Sequence, residues 1–329
     1  MLSVVGIIAN PASGKDIRRL VAYGSVFDNQ EKVRIVRRLL LGLVTTGVCR
    51  ICYMPDPYGI VERALSELDL DAEVFPADLA VRGEAEDSTR AARLMQEMGA
   101  ACIVVLGGDG TNRAVAKGNG SVPILPVSTG TNNVFPFMVE GTIAGLAAGV
   151  VARGLVPRDE CTFRTTKLEV LVDGWPADLA LVDAVVYDDV FAGARAVWDM
   201  SKVRQVVLNR ASPDSIGLSS IGGQLRCVGP DEPRALSLEL GEGGRLVVAA
   251  VAPGVIKRLF VTSARVLEAG EEVQVSLAPC ILALDGEREF EVEPGRRTSI
   301  RLALDGPTVV DVSRAMRAAM ERGVLSSCL

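Results

Sequence analysis

The chain has 329 residues, 49% of them hydrophobic, no histidine and a formal net charge of −6. That length suffices for one large domain or two ordinary ones, and the acidic balance argues against a nucleic-acid footprint. The missing histidine excludes His-based triads, His-ligated haem and mixed cysteine–histidine zinc fingers, so a general base must be a carboxylate, lysine, tyrosine or cysteine.

Val4 to Ala9 reads as a buried strand, and Asn10-Pro11-Ala12-Ser13-Gly14-Lys15 as the polar turn that ends it. No basic region precedes this apolar start, as a signal peptide would need. No run approaches the roughly 20 apolar residues that cross a bilayer. The expected location is the cytoplasm, with neither membrane nor nucleic acid as partner. Glu31 to Leu43 follows as a helix, Val48 to Met54 as a strand and Gly59 to Leu68 as a helix. Asp87-Ser88 is read as the cap of a helix running to Met98, with Gly99 as its terminator. Ala101 to Leu106 is a strand, Thr111 to Lys117 a short helix, Pro123 to Val127 a strand and Thr142 to Ala152 a helix. Short apolar strands alternating with helices predict a mostly parallel, Rossmann-like sheet covered on both faces.

The pattern changes near residue 155. Strands are predicted at Lys167 to Val172, Ala180 to Tyr187, Arg226 to Val228, Arg245 to Val251, Glu272 to Leu277, Ile281 to Leu284, Arg288 to Val292 and Thr298 to Leu302. Turns at Asp173-Gly174, Gly241 to Gly244, Asp285-Gly286 and Pro294-Gly295 separate them. Ala194 to Asn209 reads as the one helix among them. Val310 to Arg322 reads as a final helix that returns to the first domain. The expected division is an α/β nucleotide-phosphate-binding domain over residues 1–155, completed by 307–329, and a β-rich, sandwich-like domain over 156–306. A cleft between them is the natural ligand site.

Seven scattered cysteines fit a reducing compartment rather than a disulfide framework. Cys49 and Cys52 form a CxxC spacing, but within a strand residues three apart point to opposite faces. They are read as structural thiols.

Three polar turns fall at strand carboxyl ends, where open parallel sheets gather ligands. They are Asn10 to Lys15, Gly107-Gly108-Asp109-Gly110-Thr111 and Ser128-Thr129-Gly130-Thr131-Asn132-Asn133. Glycine allows close backbone approach, and free N–H groups at a helix start cradle phosphate. None is a Walker A loop or a dinucleotide GxGxxG. Asp109 beside phosphates is tolerable if it binds Mg²⁺ or accepts a proton from an attacking hydroxyl. Asp285-Gly286-Glu287 is a strong hairpin signal. If the domains close, Asp285 or Glu287 would face the cleft and share metal or acceptor duties.

These motifs resemble the NAD kinase and diacylglycerol kinase superfamily along nearly the whole chain. Asn10 to Arg19 and Ser128 to Pro136 look more narrowly like its AcoX branch, which is associated with acetoin catabolism. The resemblance implies Mg²⁺-dependent phosphoryl transfer from ATP to a hydroxyl, with NAD or a related nucleotide as a candidate acceptor, in a homo-oligomer. Asp109 would be base or metal organiser, with Asp285 as a second metal ligand. Asn10, Ser13, Gly14, Gly107, Gly108, Gly110, Thr111, Ser128, Gly130, Thr131, Asn132, Asn133, Asp183, Ser219 and Gly222 would bind nucleotide, with Lys15 and Arg18 neutralising charge. The departures bear on the acceptor. Ser128 stands where NAD kinases carry Asn, Val182-Asp183 replaces their Asn-Glu pair, and Ser219 to Gly223 differs from their Thr-Gly-Ser loop. Two alternatives stay open. One is a lipid or small-polyol kinase with Phe135 to Met138 lining an acceptor groove. The other is a nucleotide-binding protein of acetoin catabolism without transfer.

Overall fold

The computed structural model describes residues 3–14, 22–24, 27–190, 197 and 199–326. Residues 15–19 of the Asn10 to Arg19 motif, Lys15 and Arg18 among them, and residues 194–196 and 198 of the predicted helix lie outside them.

The first half is built as its alternation predicts. In chain order it forms β1 (Val4–Ala9), α1 (Asn29–Thr45), β2 (Arg50–Tyr53), α2 (Ile60–Leu65), β3 (Glu73–Pro76), α3 (Ala85–Glu97), β4 (Ala100–Gly107), α4 (Asp109–Ala116), β5 (Ile124–Ser128) and α5 (Gly141–Ala152). Every residue of β1 is buried. The strands pair in parallel in the order β3-β2-β1-β4-β5. The chain thus winds outward from β1 through β2 and β3, then restarts on the other side of β1 with β4. That reversal opens a crevice beyond the carboxyl ends of β1 and β4, where doubly wound sheets bind ligands. The α3 start differs from the expectation by two residues. Asp87 is its third residue rather than its cap, and its carboxylate accepts N–H groups from Arg82, Gly83 and Glu84.

Helices α1 and α5 cross on glycines. A Cβ at Gly145 would meet the Leu39 carbonyl oxygen, and it would lie 3.0 Å from the Gly42 Cα. Backbone cannot yield as a side-chain tip does. Gly145→Ala is therefore expected to force the helices apart and cost about 1–3 kcal/mol, the scale of overpacking. An unchanged thermal midpoint would contradict this close crossing.

The second half continues with α6 (Arg158–Cys161), β6 (Thr162–Arg164), β7 (Lys167–Val172), β8 (Trp175–Ala180), β9 (Asp183–Tyr187), β10 (Val203–Leu208), α7 (Ser219–Gly223), β11 (Arg234–Ala252) and β12 (Val255–Glu268). It ends with β13 (Glu272–Gln274), β14 (Cys280–Leu284), β15 (Glu287–Val292), β16 (Thr298–Ala303), β17 (Thr308–Val310) and α8 (Val312–Glu321). Two antiparallel sheets, β12-β11-β10-β9-β14-β15 and β13-β16-β7-β8, pack face to face. Leu168, Val170, Ile300 and Leu302 of the smaller sheet share a core with Ala184, Val186, Leu282 and Leu284 of the larger. This is a sandwich interior. β17 returns to the first sheet beside β5, with β6 at its edge. Helix α8 then buries Ala315, Ala318 and Ala319 in the core that holds α5.

Three expectations for this half are corrected. Residues 203–208 form the strand β10, not part of a helix; the strand sits centrally and is paired on both sides. Gly241 to Gly244 do not turn the chain. They bulge out of β11, and Leu240 and Arg245 both face Val261. Of the predicted strand at Arg226 to Val228, only a bridge from Val228 to Ala211 forms.

Candidate functional site

The crevice is built from the three polar turns, locked to one another by side chains. Asn10 ends β1. Its Oδ1 accepts the Ala12 N–H at 2.8 Å, an Asx turn, and its Nδ2 donates to Thr111 Oγ1 at 2.9 Å. Ser13 Oγ donates to the Asn10 carbonyl at 2.9 Å and lies 3.0 Å from Thr129 Oγ1. Gly14 has φ +70°, and a Cβ there would stand 2.8 Å from the Thr129 carbonyl oxygen.

Beneath this first turn lies Lys32 of α1, wholly buried. Its Nζ donates to the carbonyls of Asn10 (2.8 Å) and Ser13 (2.9 Å) and to Asn29 Oδ1 (3.1 Å). An ammonium has three N–H donors, and these three acceptors take them. Drawing the Ser13 carbonyl inward points the Gly14 N–H the opposite way across the trans peptide. Lys32 belongs to none of the polar sequence motifs. Its signal was the spacing, four residues before Val36 and seven before Leu39 on the apolar face of α1.

The second turn crosses from β4 into α4. Gly108 precedes the helix and Asp109 is its first residue. A Cβ at Gly108 would stand 2.7 Å from Asn133 Oδ1, and one at Gly110 would stand 2.8 Å from Glu287 Oε1. Both contacts are with side-chain tips, so a Cβ at either glycine would push Asn133 or Glu287 out of its place in the site. The Asp109 Oδ1 accepts the Phe135 N–H at 2.7 Å and the Val134 N–H at 3.0 Å. Asp109 thus ties the third turn to the start of α4. Within that turn Asn133 Nδ2 donates to Ser128 Oγ, and Ser128 Oγ to the Gly130 carbonyl, both at 2.8 Å.

Asp285 and Gly286 have φ of 52° and 76° and join β14 to β15. Two consecutive positive φ values are the signature of a type I′ hairpin, as Asp-Gly predicts. The carboxylate is turned inward as well. Its Oδ1 accepts the N–H groups of Leu181 at 2.9 Å and Val182 at 2.8 Å. Asp183 supports this turn: its carbonyl accepts the Asp285 N–H and its Oδ1 the Gly286 N–H. Burial pushes the Asp285 carboxyl up to about 6; Arg113 opposes the shift and Asp109 adds to it. Arg113, nearly buried on α4, places Nε 3.9 Å from Asp285 Oδ2. Arg210, also buried, stacks 4.2 Å over the Phe135 ring. Burial pushes this guanidinium down to about 10, against the pull of Asp109 and Asp285.

These parts enclose a cavity of about 500 Å³. Asn10, Ser13, Gly14, Gly108, Asp109, Gly110, Thr111, Asn133, Asp285 and Glu287 line it, with Arg113 and Lys117 as its cations. The remaining predicted residues stand elsewhere. Gly107, Ser128 and Asp183 are buried behind the lining, Thr131 is exposed, and Gly130 and Asn132 are half-buried. Ser219 and Gly222 are buried on α7, where Gly222 packs against Leu208 of the sandwich. Phe135 is core, while Phe137 and Met138 are exposed away from the cavity lining.

The donor set does not fit a metal ion held by the protein alone. Among the described residues no group of three or more His, Cys, Asp or Glu side chains gathers for one. Both carboxylates expected to bind metal accept backbone N–H groups instead. The thiols of Cys49 and Cys52 are unpaired with each other, and burial pushes the Cys52 thiol up to about 11. No helix among the described residues is long and apolar enough to cross a membrane.

Residues 5–155 match the ATP-NAD kinase N-terminal domain, and residues 166–305 match the acetoin catabolism protein X C-terminal domain. Two solved structures, each described as a “putative diacylglycerol kinase” from Bacillus anthracis str. Sterne, are similar at 15% and 14% identity. They cover 94% of this chain and 96% and 98% of their own, with TM-scores of 0.46 and 0.44. The acetoin catabolism protein X of Cupriavidus necator is 40% identical over 338 residues, covering 98% of this chain and 94% of that protein. The chain therefore belongs to the acetoin catabolism protein X family, whose N-terminal half here is of the ATP-NAD kinase type.

Proposed function

We propose that this protein binds a nucleotide of the ATP or NAD class in the cytoplasm and serves acetoin catabolism through that binding rather than through phosphoryl transfer. The phosphates would lie over Asn10 to Gly14 and Gly108 to Thr111, with Asn133 at the ribose. Gly107, Ser128, Gly130, Thr131, Asn132 and Asp183 belong to the frame of that site, and Ser219 and Gly222 to the sandwich behind it. Mg²⁺ would arrive as the counter-ion of the phosphates, since it is commonly held by one or two carboxylates together with substrate oxygens. One observation carries this reading above the others. Asp109, the residue the resemblance makes the base, holds the Val134 and Phe135 N–H groups with its carboxylate.

Transfer to a hydroxyl is the second reading, favoured by the Asp109 and Glu287 carboxylates lining the same cavity around Gly110. NAD, a small polyol or a lipid would then be the acceptor. Calorimetry with ATP, ADP, NAD and NADP, with and without Mg²⁺, tests the first reading. It is paired with ADP release in the presence of NAD, glycerol or diacylglycerol. Saturable binding without ADP release is expected. No binding by any of the four nucleotides would overturn the proposal, and ADP release dependent on one acceptor would install the second reading in its place.

A further inference from the structure

Arg113 and Lys117, the cations of the cavity lining, stand one turn apart on α4. Arg113 lies within the helix and Lys117 follows its last residue. Positions three or four apart share a helix face, so both side chains project together. That face meets the sandwich at Asp178 of β8. Lys117 Nζ lies 2.6 Å from Asp178 Oδ1, and Arg113 Nη1 lies 3.6 Å from Asp178 Oδ2. Asp178 is held from behind. It pairs with Val170 in the smaller sheet, and Leu179 beside it packs against the core of the first sheet. Its Oδ1 also accepts the Leu179 N–H at 2.7 Å. Strand β8 thus brings one sandwich carboxylate to both cations at the junction of the two domains.

The lining is otherwise acidic. Among the described residues, seven carboxylates line the cavity against these two cations. The Asp178 and Lys117 side chains are 16% and 34% exposed, so water screens their pairing only in part. A phosphate entering the cavity meets cations whose charge is already answered. The resulting penalty grows with the charge that the ligand brings. Free ATP ends in a phosphate monoester whose second ionisation lies at about 6. The pyrophosphate diester of NAD has no such end group, and its nicotinamide ring is cationic. We propose that Asp178 sets the ligand charge that the cavity accepts. By holding Lys117 and Arg113 it favours a nucleotide of low charge, a pyrophosphate diester or a Mg²⁺ complex, over a free triphosphate. Asp178 stands outside the cavity lining and acts through the two cations. The inference rests on nucleotide binding at this cavity and adds a residue that selects among nucleotides.

Calorimetry with NAD and with metal-free ATP tests the proposal on wild type, Asp178→Asn, Lys117→Gln and the double variant. Asp178→Asn keeps the side-chain shape and removes the charge. It should tighten metal-free ATP at least roughly fivefold and NAD by less than half that factor, because the gain scales with ligand charge. In the Lys117→Gln background the gain should fall by at least roughly half, since the charge acts through that side chain. Mg²⁺ should tighten ATP more in wild type than in Asp178→Asn. A purely structural role for Asp178 would move both ligands alike and would not depend on Lys117. Thermal unfolding checks that each variant is folded. Should Asp178→Asn fail to fold, Lys117→Gln decides: it should weaken metal-free ATP more than NAD, and an equal loss for both overturns the proposal. An ATP-to-NAD affinity ratio that Asp178→Asn leaves unchanged overturns it while nucleotide binding stands. So does a gain that persists in full without Lys117. A wild-type chain that binds neither nucleotide, with or without Mg²⁺, overturns the nucleotide reading and this inference with it.

Discussion

Asp285→Ala should destabilise the protein by about 3–5 kcal/mol, the range for breaking a buried charged pair by removing one partner. The Asp285 carboxylate is enclosed and accepts the N–H groups of Leu181 and Val182, which alanine would leave buried without an acceptor. Arg113 would lose one carboxylate neighbour, Asp285 at 3.9 Å, and keep another, Asp178 at 3.6 Å. Alanine would also have to adopt the positive φ of 52° that Asp tolerates in a hairpin. Urea or thermal unfolding reads the loss, and a change below about 1 kcal/mol would show that the contacts are not held in solution.

The same residue predicts a pH dependence, best read as the difference between wild type and Asp285→Asn. Asparagine keeps one oxygen for the two N–H groups and removes the titration. The carboxyl ionises near 3.8 when unfolded and is pushed up to about 6 when folded. Between those values the folded chain holds a proton that the unfolded chain has released. Its contribution is therefore fully present below 3.8 and is lost as pH rises through about 6. Wild type should lose stability against Asp285→Asn across that window and run parallel to it above.

The first half was legible because its signals agree. Val4–Ala9 is apolar at every position and ends in a polar turn, so buried strand and ligand turn follow from one pattern. β3 escaped notice because Glu73–Pro76 is a short edge strand, half solvated and closed by proline. β10 was misread for a physical reason. Val197, Met200, Val203, Val206 and Val207 fall at helical spacing, yet all of them are in or packed against the core, because a central strand covered on both faces need not alternate. Gly241 to Gly244 carried a turn signal that the long ladder of β11 with β12 overrode, absorbing it as a bulge. Within the site, the glycine turns and Asp285 were legible as motifs. Lys32, Arg113 and Arg210 were not, because their roles rest on burial against residues far away in sequence.

Asp109 separates the two readings of the site through a pair of variants. Asp109→Ala should weaken nucleotide binding by at least roughly tenfold, because the N–H groups of Val134 and Phe135 lose their acceptor and an unsatisfied buried donor costs about 1–3 kcal/mol. The loop that carries Asn133 would then no longer be held at the start of α4, whose Gly108 makes room for it. Asp109→Asn behaves differently. Its amide oxygen can accept the same two N–H groups, so the loop stays in place while the negative charge beside the phosphates is gone. If the residue is a clamp, the asparagine variant binds ATP as tightly as wild type or more tightly, and the alanine variant does not. If it is a catalytic base, both variants lose ADP release while the asparagine variant still binds. Calorimetry on the two proteins reads the clamp, and ADP release in the presence of NAD, glycerol or diacylglycerol reads the base. An alanine variant that both binds nucleotide and releases ADP like wild type would remove Asp109 from the site under either reading.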